Sequence, residues 1–216
     1  MISVDLIKHS LVFMAYLMLG LIAYEFLAID DDGSEYLMTI ITGEYKSLSF
    51  VEISLRENAP LALTIWIGLN ELSSSLGVPF IVSGLFLNVC CTFLGFYFWK
   101  NILGSVSKRM GLGDPSHSLF FLLFFFSGPI ILISCNLYRD AFVFLLVSAH
   151  INICVRFLCN RVNIFQLLVS SLLLIFALLF LRQAQSALAF ALTFGSFGVK
   201  YFSLRAMLVG FVIAII

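Results

Sequence analysis

The chain contains few charged residues for its length. Of its 216 residues, 11% are Asp, Glu, Lys or Arg, whereas 62% are hydrophobic. A soluble domain carries about 25% charged residues. With a mean hydropathy of +1.10, this chain does not have enough polar groups to cover its own surface in water. The composition therefore excludes an ordinary soluble domain and predicts a protein whose solvent is lipid.

Several signatures of known chemistry are also missing from the sequence. It has no glycine-rich phosphate loop, no Gly-x-Ser-x-Gly elbow and no His-Glu-x-x-His motif. It contains no Cys-x-x-Cys pair, and no spacing of Cys and His residues suits a zinc site. The cysteines are expected to pack as small apolar residues in or beside hydrophobic runs: Cys90, Cys91, Cys135, Cys154 and Cys159. The formal net charge is zero, so no global basic field indicates a nucleic-acid partner.

Long hydrophobic runs fill most of the chain and predict an all-α polytopic membrane helix bundle. A span needs about 20 apolar residues. The sequence predicts about seven spans, at residues 11–29, 80–99, 117–135, 141–155, 164–181, 184–199 and 204–216. Residues 100–116 are predicted to be a loop that ends the second of these spans. We expect residues 1–216 to form one membrane domain, with residues 30–59 as the first outer loop. Because the last run is short, we also expect that the chain is a truncated form of a longer protein.

The segment at residues 60–78 decides on which side of the membrane each later loop lies. It is apolar at first but carries Asn70, Glu71 and a run of serines, which fits an interfacial or re-entrant outer helix better than a lipid-crossing one. If it does not span, eight basic residues face the cytoplasm: Lys8, Lys100, Lys108, Arg109, Arg156, Arg161, Lys200 and Arg205. Four then face outward: Lys46, Arg56, Arg139 and Arg182. If it spans, only three basic residues face inward. The positive-inside rule favours the first arrangement, with the N-terminus inside.

An acidic cluster follows the first predicted span. Four carboxylates lie within six residues, at Asp30, Asp31, Asp32 and Glu35, and Tyr36 comes next. Such carboxylates repel one another unless a cation, a basic ligand or a proton relieves them. Oxygen ligands of this kind suit a divalent cation such as magnesium or manganese, with Asp31 and Asp32 as candidate ligands. A carboxylate here could also act as a general base toward a hydroxyl. A solvated acidic loop is the competing interpretation.

Two short polar links are predicted on the same outer side as the acidic cluster. Arg139 and Asp140 separate two apolar runs, and Arg182 and Gln185 belong to a tight polar turn that separates two more. Charges this close to a membrane often mark a site, and an arginine can bind a phosphate through two parallel hydrogen bonds. The alternatives are a self-contained helix cap at Asp140 and an arginine that anchors the turn to lipid headgroups.

The serial order of these motifs resembles bacterial polytopic glycosyltransferases of the GT-C type and the related O-antigen and exopolysaccharide polymerases. The resemblance covers about residues 11–186. It is carried by Asp30 to Tyr36, by Gly43–Glu44–Tyr45, by Asn58–Ala59–Pro60–Leu61, by Ser127–Gly128–Pro129 running to Tyr138–Arg139–Asp140, and by Leu181–Arg182–Gln183. Gln183 stands where members of the family often have proline, and members are usually longer.

The resemblance implies transfer of a sugar or glycan from a polyprenyl-phosphate-linked donor on the outer face of the cytoplasmic membrane. An outer-loop carboxylate would then be the base or metal ligand, and Arg139 and Arg182 would hold the lipid phosphate, with Asp140, Gln185 and Tyr36 beside the substrate.

Two other functions stay open at the level of the sequence. One is a non-enzymatic membrane protein, such as a flippase or transport component or an accessory subunit of a glycan assembly complex. It would need polar residues along a route through the membrane, and the candidates are sparse: Glu25, Asn88, His150 and Asn152. We expect His150 to form a hydrogen bond with a neighbouring helix and not to serve a proton relay. The other is a truncated, inactive fragment.

Overall fold

The computed structural model describes two long segments, residues 59–111 and 139–201, together with residues 10, 12–19, 21–22, 40, 42–43 and 47–56. The described residues form helices and no strand, which confirms the predicted all-α class for this part of the chain. The helices that the structure bounds are α1 (Phe50–Arg56), α2 (Pro60–Ser75), α3 (Phe80–Arg109), α4 (Asp140–Leu158), α5 (Ile164–Leu179) and α6 (Gln183–Tyr201). Residues 12–19 are also helical. The predicted spans at 117–135 and 204–216 lie outside the described residues.

Local sequence signals account for where several helices begin and end. Proline occupies the first position of α2, where its missing N–H leaves no hydrogen bond unmade. At the start of α5, Asn163 accepts from the backbone of Gln166 while the Gln166 side chain accepts from the backbone of Asn163, so two otherwise unpaired N–H groups are satisfied. These signals start α5 at Ile164, shortly after α4 ends at Leu158.

The predicted loop at residues 100–116 is wrong in its first part, because α3 continues to Arg109. Residues 100–109 contain no proline, and Lys108 and Arg109 lie in the last turn of the helix, where positive charge interacts favourably with the helix dipole. The helix ends just before Gly111, whose positive φ of 66° is a conformation that glycine adopts without strain. Charge at Lys100 marks a polar position on a continuing helix and not its end.

Helices α3, α4 and α6 run in the same direction. The Phe96 ring, near the middle of α3, lies 5.7 Å from the Phe144 ring near the start of α4. At the ends of the same two helices, Arg109 donates to the carbonyl of Leu158. Contacts between α4 and α6 follow the same order, from Asp140 with Arg182 to the Phe157 carbonyl with Lys200. Helix α5 runs the other way between the α4–α5 and α5–α6 turns. The bundle therefore has two ends, which we call the Arg182 end and the Arg161 end after residues in these turns.

Helix α2 begins at the Arg182 end, and the helix after it, α3, begins close to α2. The Leu61 N–H donates to the Phe180 carbonyl, 3.4 Å away, just before the α5–α6 turn. The Trp66 ring then packs against Phe142 near the start of α4 and against Phe80, the first residue of α3, with centroids 5.1 and 6.1 Å apart. Trp66 is fully buried at the centre of the main apolar core. The α2 helix therefore covers the Arg182 end.

Two described helices are long and apolar enough to cross a membrane. They are α3, with 30 residues, and α4, with 19. Helix α5 is apolar but has 16 residues, which is short of the roughly 20 that a span needs. By length and composition, the described part of the chain therefore contains two candidate membrane spans.

Candidate functional site

The structure describes one half of the predicted site. Arg139, Asp140, Arg182 and Gln185 are described, whereas the acidic cluster with its two candidate metal ligands lies outside the described residues, as does Tyr36. Within the described residues, no group of three or more His, Cys, Asp or Glu side chains could hold a metal ion. The predicted divalent cation therefore stays a prediction that depends on Asp31 and Asp32.

Asp140 and Arg182 are joined by a hydrogen-bonded ion pair. An Arg182 Nη1 donates to Asp140 Oδ1 at 2.6 Å. The carboxylate belongs to the first residue of α4, where the helix dipole favours negative charge. The backbone of Arg182 is held in turn, because its N–H donates to the Leu178 carbonyl at 2.7 Å. The two polar links that the sequence placed on one side of the membrane are therefore in direct contact.

Both side chains of the ion pair are partly exposed, and Arg182 keeps N–H donors that the pair does not use. The side chains of Arg182 and Asp140 are 46% and 35% exposed, so the contact faces outward from the bundle. A guanidinium has five N–H donors in a planar fork, and the ion pair uses one of them. Arg182 can therefore bind a second anion while Asp140 holds it in position.

Arg139 supplies a second guanidinium beside the pair. It precedes the first residue of α4, and its carbonyl accepts from the N–H groups of Phe142 and Val143 at 3.0 and 3.1 Å. Among the described residues, its side chain has no hydrogen-bond partner and is partly exposed. Arg139, Asp140 and Arg182 together carry a net charge of +1, so the cluster attracts an anion.

Gln185 lies at the start of α6, next to Arg182. Its backbone N–H donates to the Arg182 carbonyl at 3.1 Å. The side-chain oxygen Oε1 is buried and accepts no hydrogen bond from any described group. A buried carbonyl oxygen normally has a hydrogen-bond donor. The predicted position of Gln185 beside the substrate stays a prediction.

Helices α4 and α6 both begin beside the Asp140–Arg182 contact. The unpaired backbone N–H groups at each start carry partial positive charge, which adds to the charge of Arg139 and Arg182. Helix α5 ends at the same place, and its C-terminus carries the opposite partial charge.

The buried polar residues inside the bundle form a separate feature. His150 Nε2 and Thr193 Oγ1 are 3.1 Å apart between α4 and α6, which confirms the predicted hydrogen bond from His150 to a neighbouring helix. The Thr193 hydroxyl also donates to the Ala189 carbonyl at 3.0 Å, which leaves its lone pairs available to accept from an imidazole N–H. His150 is fully buried and Thr193 is 4% exposed. The contact therefore joins α4 and α6 in the buried interior of the described bundle.

The Arg161 end holds a feature that the sequence did not predict as a site. A cavity of about 310 Å³ opens where the end of α3 meets the α4–α5 turn. Lys108, Arg109 and Arg161 line it, although the pattern of the sequence indicates only that they fix the topology. One signal in the sequence could have identified it. Lys108, Arg109 and Arg161 all lie near predicted helix ends on the cytoplasmic side when residues 60–78 do not span the membrane.

Comparison with protein-family models, with curated proteins and with solved structures gave no match for this chain. Its function is therefore inferred from its own residues and their geometry.

Proposed function

We propose that the protein is a polytopic membrane glycosyltransferase or polysaccharide polymerase of the bacterial cytoplasmic membrane. It transfers a sugar or glycan from a polyprenyl-phosphate-linked donor at the outer face, which is the Arg182 end. The observation that carries the proposal is the 2.6 Å contact between Asp140 and Arg182. This contact joins two charged links that the resemblance assigns to one phosphate-binding site.

The proposed topology has about seven spans and an N-terminus in the cytoplasm. The common direction of α3 and α4 supports it, because the chain leaves α3 at one end and enters α4 at the other, as a span between them requires. The apolar outer face of α5 supports it too, since Phe165 and Leu172 are 71% and 70% exposed. Large exposed apolar surfaces of this kind suit contact with lipid.

The position of α2 supports an outer, non-spanning role for residues 60–78. Leu61 contacts Phe180, and Trp66 contacts both Phe80 and Phe142. Both its beginning and the start of the next helix are thus at the Arg182 end. With α2 at that end, Arg139 and Arg182 share an aqueous face with the loop at residues 30–59, and the described basic residues near the Arg161 end face the cytoplasm.

In the proposed reaction, Arg139 and Arg182 bind the phosphate of the lipid donor. Their positive charge stabilises the lipid phosphate as it leaves the anomeric carbon. Asp140 orients Arg182 and limits its motion. A carboxylate among Asp30, Asp31, Asp32 and Glu35 removes the proton from the acceptor hydroxyl. A magnesium or manganese ion held by Asp31 and Asp32 would add a further positive charge beside the phosphate.

The described residues do not favour the transport alternative. A transporter carries its substrate past polar groups near the middle of the membrane. In the described segments, Ser148, His150 and Asn152 near the middle of α4 are buried, and His150 is hydrogen-bonded to Thr193 of α6.

Glycan transfer by the full chain in membrane vesicles tests the proposal. The donor is a polyprenyl-phosphate-linked sugar or glycan, and the product is the elongated glycan. We expect Asp31→Asn combined with Asp32→Asn to reduce transfer at least about 100-fold, the smallest effect typical of a lost general base. Arg139→Gln should reduce it about 10- to 100-fold, because a charge-assisted contact to phosphate is removed.

Arg156→Gln is the matched control, since Arg156 is an exposed arginine on α4 far from the Arg182 end. Its variant should retain the transfer rate of the wild type at equal abundance in the membrane. Wild-type rates in the Asp31/Asp32 variant, or no product with the unmodified chain, would overturn the proposal.

A further inference from the structure

The cavity at the Arg161 end is built from the ends of two helices and the turn that follows one of them. Its lining comprises Ser105, Lys108, Arg109, Leu158, Cys159, Asn160 and Arg161. Its volume of about 310 Å³ lies at the lower end of the range of about 300–1,000 Å³ found for small-ligand sites. The cavity is therefore large enough for a small polar group.

The α4–α5 turn that forms one wall is held in a defined conformation. Asn160 has a positive φ of 58°, which asparagine tolerates better than most residues. The Arg161 N–H donates to the Arg156 carbonyl at 2.8 Å, and the Cys159 N–H donates to the Val155 carbonyl at 2.9 Å. A wall fixed in this way does not need to be ordered when a ligand binds, so less binding free energy is lost.

The three cations of the cavity retain donors for a ligand. Arg109 Nη1 donates to the Leu158 carbonyl at 2.6 Å, and Arg161 Nη1 donates to the Ser105 hydroxyl over a long 3.4 Å. Each of these two contacts uses one of the five N–H donors of a guanidinium. Lys108 is exposed and makes no hydrogen bond or ion pair with any described residue. The contact to Leu158 also points Arg109 across the gap between α3 and α4.

No described carboxylate neutralises these cations. The described carboxylates are Glu52 on α1, Glu71 on α2 and Asp140 at the start of α4, and none of them lines the cavity. Basic residues at helix ends can fix the membrane topology whatever direction their side chains take. The topology therefore explains how many basic residues lie at this end. It does not explain why three of them line one cavity together with the Ser105 hydroxyl and the Asn160 carboxamide.

We propose that this cavity binds a phosphate anion, and specifically the headgroup phosphate of an anionic phospholipid in the cytoplasmic leaflet. Arg109 and Arg161 donate from opposite walls, Lys108 adds a point charge, and Ser105 and Asn160 supply neutral hydrogen bonds. Basic recesses between membrane helices on the cytoplasmic side are suited to such headgroups, and guanidinium groups match the geometry of a phosphate. This site is separate from the Arg182 end and does not depend on glycosyl transfer.

The test is native mass spectrometry of the full chain in a neutral detergent, titrated with phosphatidylglycerol and, in parallel, with zwitterionic phosphatidylcholine. We expect the wild type to retain phosphatidylglycerol at lower concentrations than phosphatidylcholine. Lys108→Gln and Arg161→Gln should each raise the apparent Kd for phosphatidylglycerol about tenfold, because each removes a charge-assisted contact.

Arg156→Gln is the matched control, since Arg156 is an exposed arginine near the same helix end but is not part of the cavity. It should change the Kd by less than about twofold, because it removes a solvent-exposed charge that does not line the cavity and that salt screens. Lys108→Gln breaks no described contact, so it reports on binding even if Arg161→Gln unfolds the turn. Equal weakening in Arg156→Gln and Lys108→Gln, or equal retention of the two lipids, would overturn the proposal.

Competition with inorganic phosphate identifies the source of the anion. If millimolar phosphate leaves bound phosphatidylglycerol in place, the site takes the lipid, as we expect. If phosphate displaces the lipid and this displacement is lost in Lys108→Gln, the cavity binds free phosphate. That result would support a phosphate site and overturn the assignment to a phospholipid headgroup. If neither ligand binds in a manner that depends on Lys108, the proposal fails.

Discussion

Asp140 and Arg182 lie 42 residues apart in the sequence and are joined by a 2.6 Å hydrogen-bonded ion pair. The contact ties the start of α4 to the turn between α5 and α6. It places two arginines and one carboxylate at the same end of the bundle. The proposed phosphate-binding face is built on this relationship.

A double-mutant cycle can measure the Asp140–Arg182 contact. We expect Asp140→Asn and Arg182→Gln to be coupled by about 0.2–1 kcal/mol in the free energy of unfolding, as for other partly exposed ion pairs. The measurement is unfolding of the two single variants and the double variant in detergent. A cycle that pairs Asp140→Asn with Arg156→Gln is the control and should give no coupling, because the two sites are far apart. Equal coupling in both cycles would contradict the contact.

Gly95 of α3 lies directly against the Phe144 ring of α4. A Cβ added at Gly95 would lie 2.5 Å from the Phe144 ring, so Gly95→Ala should destabilise the bundle by about 1–3 kcal/mol through overpacking. A Cβ at Gly195 on α6 would meet no described atom within 4 Å. Gly195→Ala should therefore be neutral or stabilise by up to about 1 kcal/mol, because alanine favours the helix. Thermal unfolding of both variants in detergent checks the order, and a more stable Gly95→Ala variant would contradict the packing.

The hydrogen bond between His150 and Thr193 should contribute to the association of α4 and α6. Thr193→Val removes the hydrogen-bond partner of the imidazole and should destabilise the protein by about 0.6 kcal/mol and at most about 1.7 kcal/mol, as found for hydrogen bonds between membrane helices. Thr64→Val is the control, because the Thr64 hydroxyl donates to the Pro60 carbonyl of its own helix. A destabilisation in Thr64→Val as large as that in Thr193→Val would mean that the contact between α4 and α6 contributes nothing specific.

The two ends of the bundle should face opposite compartments. With the native cysteines replaced by alanine, Gln183→Cys at the Arg182 end should react with a membrane-impermeant maleimide in intact cells. Met110→Cys, which replaces an exposed residue at the Arg161 end, should react only after the membrane is permeabilised. The asymmetry of basic residues is the physical reason. The reverse pattern would place Arg139 and Arg182 in the cytoplasm and would remove the proposed site from the outer face.

Much of the helical framework could be predicted from hydrophobic runs. The predicted segments at residues 141–155, 164–181 and 184–199 coincide with α4, α5 and α6 within a few residues, because polar links as short as the Asn163 cap leave little choice of boundary. The end of α3 was predicted wrongly at Lys100, because a charged residue on one face of a helix does not terminate the helix. A helix continues as long as its backbone dihedral angles stay helical, and the backbone of α3 leaves this range only near Gly111.

The sites were predictable only in part. The positive-inside rule placed Arg182 and Asp140 on one side, but their contact depends on the parallel packing of α4 and α6, which no local pattern contains. The cavity at the Arg161 end was missed for the same reason. Ser105 and Arg161 are 56 residues apart, and only the packing of α3 against α4 brings them together.

The account rests most directly on whether the acidic cluster converges with Arg139 and Arg182. Cross-linking measures this in a background without native cysteines, using a bismaleimide whose reach is about 15 Å, near the largest separation at which these groups could serve one substrate. Ser34→Cys in the acidic loop is paired with Gln183→Cys at the Arg182 end or with Met110→Cys at the Arg161 end, and cross-linked peptides are quantified by mass spectrometry. The account predicts a cross-link from Ser34→Cys to Gln183→Cys and none to Met110→Cys. A cross-link to Met110→Cys alone, with all three single variants reactive, would contradict a single active site at the Arg182 end.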